Sequence, residues 1–267
     1  MTTTTRALVT AGLLAALAFD RDYSAYRAAL ERSARPSRVD YAGLKAQRGD
    51  LDAAVRNFGE VSAGEERAWP RNERIAFWTN AYNAFTLRAI IDHYPIGGAF
   101  LSLSPRNSIR QIDGVWTKLT WQAAGRRVTL DDIEHRILRP EFKDPRVHFA
   151  LNCASVGCPP LRAEPYRAAD LDRQLDEAAR TYLGSAEGLR LDGTTLRVSS
   201  IFKWYGQDFV ERYAGSVGGD RNPRERAILG VVAQYGPPAA AATARDGRVK
   251  IAYLTYDWSL NDIMSTR

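Results

Sequence analysis

The chain has only two cysteines, three histidines and two methionines among its 267 residues. So few cysteines exclude a small fold stapled by many disulfides. Outside the amino terminus no segment approaches eighteen unbroken apolar residues, so no membrane span is predicted for the mature chain. No Gly-rich phosphate loop, dinucleotide fingerprint or clearly spaced carboxylate pair appears, and no cofactor is implied. The formal charge of +6 comes from arginines scattered along the chain, without a dense basic block or an interleaved aromatic repeat. That absence of clustering argues against a nucleic-acid partner. There is neither an internal repeat nor a low-complexity linker, which favours a single domain after residue 18.

The scarce residues are concentrated. Both cysteines and one histidine fall in Val147 to Leu161, VHFALNCASVGCPPL, and His135 lies just upstream. Val147, Phe149 and Leu151 alternate with His148 and Ala150, which predicts a short half-buried strand. Asn152, Ser155, Gly157 and Pro159-Pro160 then predict a loop. At the amino terminus, Arg6, the apolar run Ala7 to Ala18 and the small-residue pattern Ala16-Leu17-Ala18 read as a signal peptide over residues 1–18. Cleavage before Phe19 would place the protein in the periplasm or outside the cell, where Cys153 and Cys158 would tend to pair.

Helical spacing predicts helices over Tyr23 to Ala34 and Leu44 to Phe58, with Val61 to Pro70 as a loop. The longest helix runs from a cap at Asn72 to Pro95, and its two apolar stripes bury Asn80 and Asn83. Buried carboxamides need partners, so the pair either braces a neighbouring loop or faces a polar site. Val115 to Trp121 and Arg127 to Leu130 read as a hairpin about Ala124-Gly125. Thr129 and Asp132 form an S/T-x-x-D start for the helix that carries Glu134 and His135. A helix from Ala169 to Leu183 follows, then a hairpin turning at Asp192-Gly193. Ser199-Ser200 caps a segment with the aromatic stripe Phe202, Tyr205, Phe209 and Tyr213, read as core. A helix over Arg224 to Tyr235 and a strand over Val249 to Thr255 complete the pattern. Helices outweigh strands that look antiparallel, which makes the fold class α+β: a mainly helical domain with a small antiparallel sheet.

The blocks FWTNAYNAF, LDDIEHRILRPEF, DPRVHFALNCASVGCPPL, SSIFKWYGQDF and YDWSLND, in this order, resemble the domain-of-unknown-function family 547 (DUF547) between about Ile75 and Asn261. The resemblance implies a fold rather than a reaction. It also implies company: the family occurs in exported bacterial proteins and in plant proteins, and some eukaryotic relatives join it to a glutaredoxin-like domain. Asn80, Asn83, Glu134, His135, His148, Cys153 and Cys158 fall on its recurrent polar pattern.

Several chemistries fit these residues. In a papain-like or transglutaminase-like hydrolase or transferase, Cys153 would be the nucleophile and His148 or His135 its base. Asn80, Asn83 or Glu134 would then orient the imidazole, and the substrate would be a peptide or a thiol compound. His148 precedes Cys153 by five residues and reaches it only if the chain bends sharply at Asn152. Cys153 and Cys158 could instead cycle as a redox pair, although four intervening residues depart from the thioredoxin spacing. With His135 and His148 they would make a Cys2His2 metal set. The remaining reading is a structural Cys153–Cys158 disulfide in a binding module without catalysis.

Overall fold

The computed structural model describes residues 19–98 and 104–264. The signal-peptide pattern lies outside the described residues. Helix α1 (Ser24–Ser33) leads through a two-residue hairpin, β1 (Ala34–Arg35) with β2 (Arg38–Val39), into α2 (Tyr41–Ala46), α3 (Gly49–Glu60) and α4 (Ala63–Ala68). The predicted second helix is therefore two helices. Asp40 caps the first by accepting from the Gly43 N–H. The predicted loop before Pro70 contains α4, which Ser62 caps through the Glu65 N–H.

The centre of this half is α5 (Arg71–His93). Pro70, not Asn72, precedes its first turn, and Asn72 lies inside the helix. Its apolar residues recur on every side, so Ile75, Phe77, Trp78, Ala81, Phe85 and Ile90 are all fully buried. An all-round apolar helix must be enclosed, and α2, α3 and the helix carrying Glu134 pack around it.

Hairpin β3 (Trp121–Ala123) with β4 (Arg126–Val128) is shorter than predicted, and Val115 to Leu119 form turns instead of strand. Its turn stands where expected. Ala124 and Gly125 both have positive φ, 48° and 69°, as a type I′ turn requires. The next helix, Asp132–Phe142, is wound as a π-helix. It begins on a reciprocal cap in which the Asp132 N–H donates to Thr129 Oγ1 and the Thr129 N–H donates to Asp132 Oδ2, each at 3.0 Å.

The strand predicted at Val147 is a 3₁₀ helix, Pro145–Phe149. Pro145 fixes φ at its start, the Asp144 side chain accepts from the Arg146 N–H, and all five residues are buried, so alternation of inside and outside does not arise. This turn joins two hydrophobic clusters. Val147, Ala150 and Leu151 pack with α5, whereas Phe149 packs into a second cluster.

That second cluster is built by α6 (Leu171–Leu183), α7 (Ile201–Tyr205), α8 (Val210–Tyr213), α9 (Pro223–Tyr235) and α10 (Pro238–Asp246) with a three-stranded sheet. Strand β5 (Leu189–Asp192) pairs antiparallel with β6 (Thr195–Val198), and β6 pairs parallel with β7 (Lys250–Tyr253). The parallel pair departs from the antiparallel expectation because α7 to α10 lie between the two strands in sequence and provide the crossover. Asp192 pairs with Thr195, so the turn is Gly193-Thr194, one residue later than predicted, with positive φ at Gly193 alone. The fold class is α+β, mainly helical with small sheets.

Candidate active site

Asn152 shapes the cysteine loop. Its backbone N–H donates to Asn83 Oδ1 at 2.8 Å, its Nδ2 donates to the Pro159 carbonyl at 2.7 Å, and its Oδ1 accepts from the Ala154 N–H at 3.0 Å. Ala154 is left-handed, φ 61°, so the chain reverses directly after Cys153. Asn83 completes the clasp by donating to the Ala150 carbonyl at 3.0 Å. Asn80 makes a second clasp, exchanging hydrogen bonds with the Tyr166 backbone at 2.8 and 2.9 Å. Both carboxamides thus serve backbone groups and neither orients an imidazole.

Cys153 and Cys158 are joined by a disulfide, with Cα atoms 6.1 Å apart, inside the range such bonds require. Cys158 is buried and Cys153 half-buried. Tyr256 Oη lies 3.2 Å from Cys153 Sγ, and the Cys153 N–H donates to Cys158 Sγ at 2.8 Å. Burial pushes the Tyr256 phenol well above its usual range, so it remains a neutral dipole beside the sulfur. The segment after β7 is strapped along the loop. Val156 and Gly157 donate to the carbonyls of Ser259 and Asp257, and Asn261 donates to that of Ala154.

A cavity of about 350 Å³ opens above the disulfide. His148, Glu134 and His135 line it together with Cys153 and Cys158. The His148 side chain is only 2% exposed. Its Nε2 meets Asp208 Oδ2 at 2.8 Å, while Nδ1 lies 3.8 Å from Glu134 Oε1. An ionised carboxylate can only accept, so the proton of a neutral ring sits on Nε2 and Nδ1 is the basic nitrogen. The ring stacks on Tyr205 at 4.2 Å and 19°, and Tyr205 hydrogen-bonds to Glu134. Burial alone would raise the Asp208 carboxyl, but hydrogen bonds from His148 and Arg139 outweigh it and hold the group well below the usual carboxylate range.

His135 occupies the rim. Its Nδ1 accepts from Arg139 Nη1 at 3.0 Å and its Nε2 lies 3.8 Å from Asp131. It also borders a second cavity on the far side of His148, where Arg139 and Lys143 stand. Of the two candidate bases, His148 alone has a carboxylate within hydrogen-bond distance of a ring nitrogen. Among the described residues no three His, Cys, Asp or Glu side chains are grouped as a metal site requires. The two sulfurs are turned toward each other instead of converging with the imidazoles.

Asp208 is the principal residue that sequence reasoning missed. It sits inside the block SSIFKWYGQDF, where it is the one acidic residue among aromatics. Trp204, Tyr256 and Trp258, which wall the cavity, belong to the two last blocks, where no spacing singles them out.

Comparison with curated proteins and with solved structures gives no match. The family model described as "Protein of unknown function, DUF547" matches residues 67–183. That stretch takes in α5, the π-helix, the 3₁₀ turn with His148, the cysteine loop and α6, whereas Asp208 and the walls supplied by Trp204, Tyr256 and Trp258 lie beyond it. Over residues 67–183, a stretch that holds both cysteines and both histidines of the cavity, this chain is similar to the DUF547 family.

Proposed function

We propose that this chain is a thiol-dependent hydrolase or transferase, with Cys153 as nucleophile and His148 as its base, and that the Cys153–Cys158 disulfide is the stored form of the thiol. One observation carries the reading: a buried imidazole, fixed on Nε2 by Asp208 and with Nδ1 3.8 Å from Glu134, lines the same cavity as Cys153. The carboxylate–imidazole pair is the orienting half of a thiol or serine triad.

Activation needs two electrons, which a thiol compound supplies. Its thiolate attacks the half-buried Cys153 sulfur, and Cys158 leaves as a thiolate held by the Cys153 N–H. A second thiol then resolves the mixed disulfide and departs as the reductant's own disulfide. The freed Cys153 passes its proton to His148. Its thiolate attacks an acyl carbonyl, forming an S–C bond as the leaving group departs with the proton from His148. Water or an acceptor amine then cleaves the thioester and regenerates the thiol. The Tyr256 hydroxyl stands where it can donate to the thiolate.

The disulfide itself favours a second reading, a clipped binding module with the same cavity and no turnover. Alkylation of the reduced chain by iodoacetamide across pH, followed by peptide mapping, separates the two. Under the enzyme reading Cys153 reacts near neutral pH faster than an ordinary thiol and faster than Cys158, and both His148→Gln and Asp208→Asn abolish the difference. Equal, ordinary rates in wild type and variants leave the binding module. We propose further that the protein is exported, with residues 19–267 as the mature single domain. Mass spectrometry of the protein from its native host tests this, and a full-length cytoplasmic species refutes it.

A further inference from the structure

The cavity above the disulfide has an unusual chemical balance. Trp204, Tyr256 and Trp258 lie with ring centroids 4.7 to 5.8 Å apart and planes inclined 30° to 58° to one another, so they form a concave corner instead of a flat stack. Trp116 meets Trp258 edge-on at 6.2 Å and 78°, and its indole N–H is held by the Tyr82 hydroxyl, closing a further side. Trp204 is 45% exposed, a large apolar surface left at the mouth of the cavity without cover.

The ionisable side chains that stand out in this lining are the carboxylates Asp131 and Glu134, with the two histidines. No lysine or arginine lines it among the described residues, although the chain as a whole carries +6. The nearby cations lie outside the lining: Arg110 covers one face of Trp258 at 5.0 Å, and Arg139, over Tyr205 at 5.0 Å, is paired with Asp208 at 2.6 Å. An aromatic corner flanked by carboxylates, with no lysine or arginine in its lining, attracts a positive charge to its open ring faces, because ring faces carry the negative end of the quadrupole, and Arg110 already uses one face of Trp258 in this way. It discriminates against anions by the same field. Large, weakly hydrated cations gain most, since they surrender little hydration on entering an apolar space.

We infer that this cavity binds an alkylated ammonium group, seated against Trp204, Tyr256 and Trp258 with Asp131 and Glu134 supplying the counter-charge. Resting on the thiol-enzyme reading above, the substrate is then an acyl ester or amide whose alcohol or amine half bears that ammonium, placing the acyl carbon toward Cys153. A cavity of about 350 Å³ accommodates such a small head group and a short chain.

The test uses the full chain with its disulfide intact, so that recognition is measured apart from thiol chemistry. Choline and its uncharged isostere 3,3-dimethylbutan-1-ol are titrated by calorimetry and tryptophan fluorescence at constant ionic strength. Choline binds saturably and at least about tenfold tighter than the alcohol, and Trp204→Ala and Asp131→Asn, both near the surface, each weaken it about threefold to thirtyfold without changing the circular dichroism spectrum. Equal affinity for the two isosteres, no saturable choline binding, or unaffected affinity in both variants overturns the inference. Choline binding with an unactivated Cys153 would retain the recognition and discard the enzyme. An activated Cys153 in a chain indifferent to choline would do the reverse.

Discussion

Replacing Asn83 by leucine removes two hydrogen bonds that close the cysteine loop against α5. Asn83 is 3% exposed, and the loss leaves the Ala150 carbonyl and the Asn152 N–H without their side-chain partner in a buried place. Each such orphan costs about 1 to 3 kcal/mol. The added apolar surface of leucine returns about 1.5 to 3 kcal/mol if it packs fully. Two orphans against one packed leucine leave an expected net loss of about 2 kcal/mol, or a fall in melting temperature of about 4 to 8 °C for a chain of this size. Thermal unfolding followed by circular dichroism measures it. Asn80→Leu is the control, because it breaks an equivalent clasp at Tyr166 and should destabilise similarly while leaving the cysteine loop braced. The two variants then differ in a second readout, the rate at which dithiothreitol opens the disulfide, which rises for Asn83→Leu alone. An unchanged melting temperature for Asn83→Leu, with an unchanged reduction rate, refutes the argument that this side chain holds the loop.

Asp208 has a folded carboxyl held below its ordinary value, so its contribution to stability is fully present above pH of about 4 and is lost as pH falls toward the folded value. The stability difference between wild type and Asp208→Asn, from guanidinium unfolding at several pH values, should therefore be largest near neutrality and shrink below pH of about 4; a constant difference refutes the assignment. At Gly157 a Cβ would stand 3.0 Å from the Asp257 nitrogen and 3.1 Å from the Tyr256 ring. Gly157→Ala should displace Tyr256 from Cys153 and alter the alkylation rate of Cys153 in the reduced chain, whereas a rate equal to wild type would show that the strap yields without moving the phenol.

Much of the helical half was legible because its signals are local. Helix α5 announces itself through apolar residues on two stripes, and the asparagines interrupting one of them had to be clasps or site residues, which the bonds to Ala150, Asn152 and Tyr166 resolve as clasps. The Thr129–Asp132 cap and the Ala124-Gly125 turn are likewise set by a few neighbouring residues. The 3₁₀ turn was misread as a strand because five buried residues shared between two clusters have no exposed face to reveal their period. Helix α10, for which the sequence reading has no element, begins at Pro238, since proline suits a first helical turn as well as a stop. The parallel placement of β7 and the pairing of Asp208 with His148 depend on contacts between segments 55 and 60 positions apart, which no spacing rule encodes.

The strap from Tyr256 to Asn261 has a temporal consequence. Tyr256 reaches Cys153 across 103 positions of chain, and the carbonyls of Asp257 and Ser259 hold the loop from the same segment. During synthesis, amino-terminal regions leave the ribosome first and begin to fold. Both cysteines and His148 therefore emerge well before the phenol, the indole of Trp258 and the strap that pins them, whatever residues follow. The cysteines and His148 exist for an interval as an unpinned loop facing an unfinished cavity. On the proposed function, recognition and alignment arrive together after the sulfur, so a nascent or truncated chain lacking these residues would carry the thiol without the pocket proposed to choose its target.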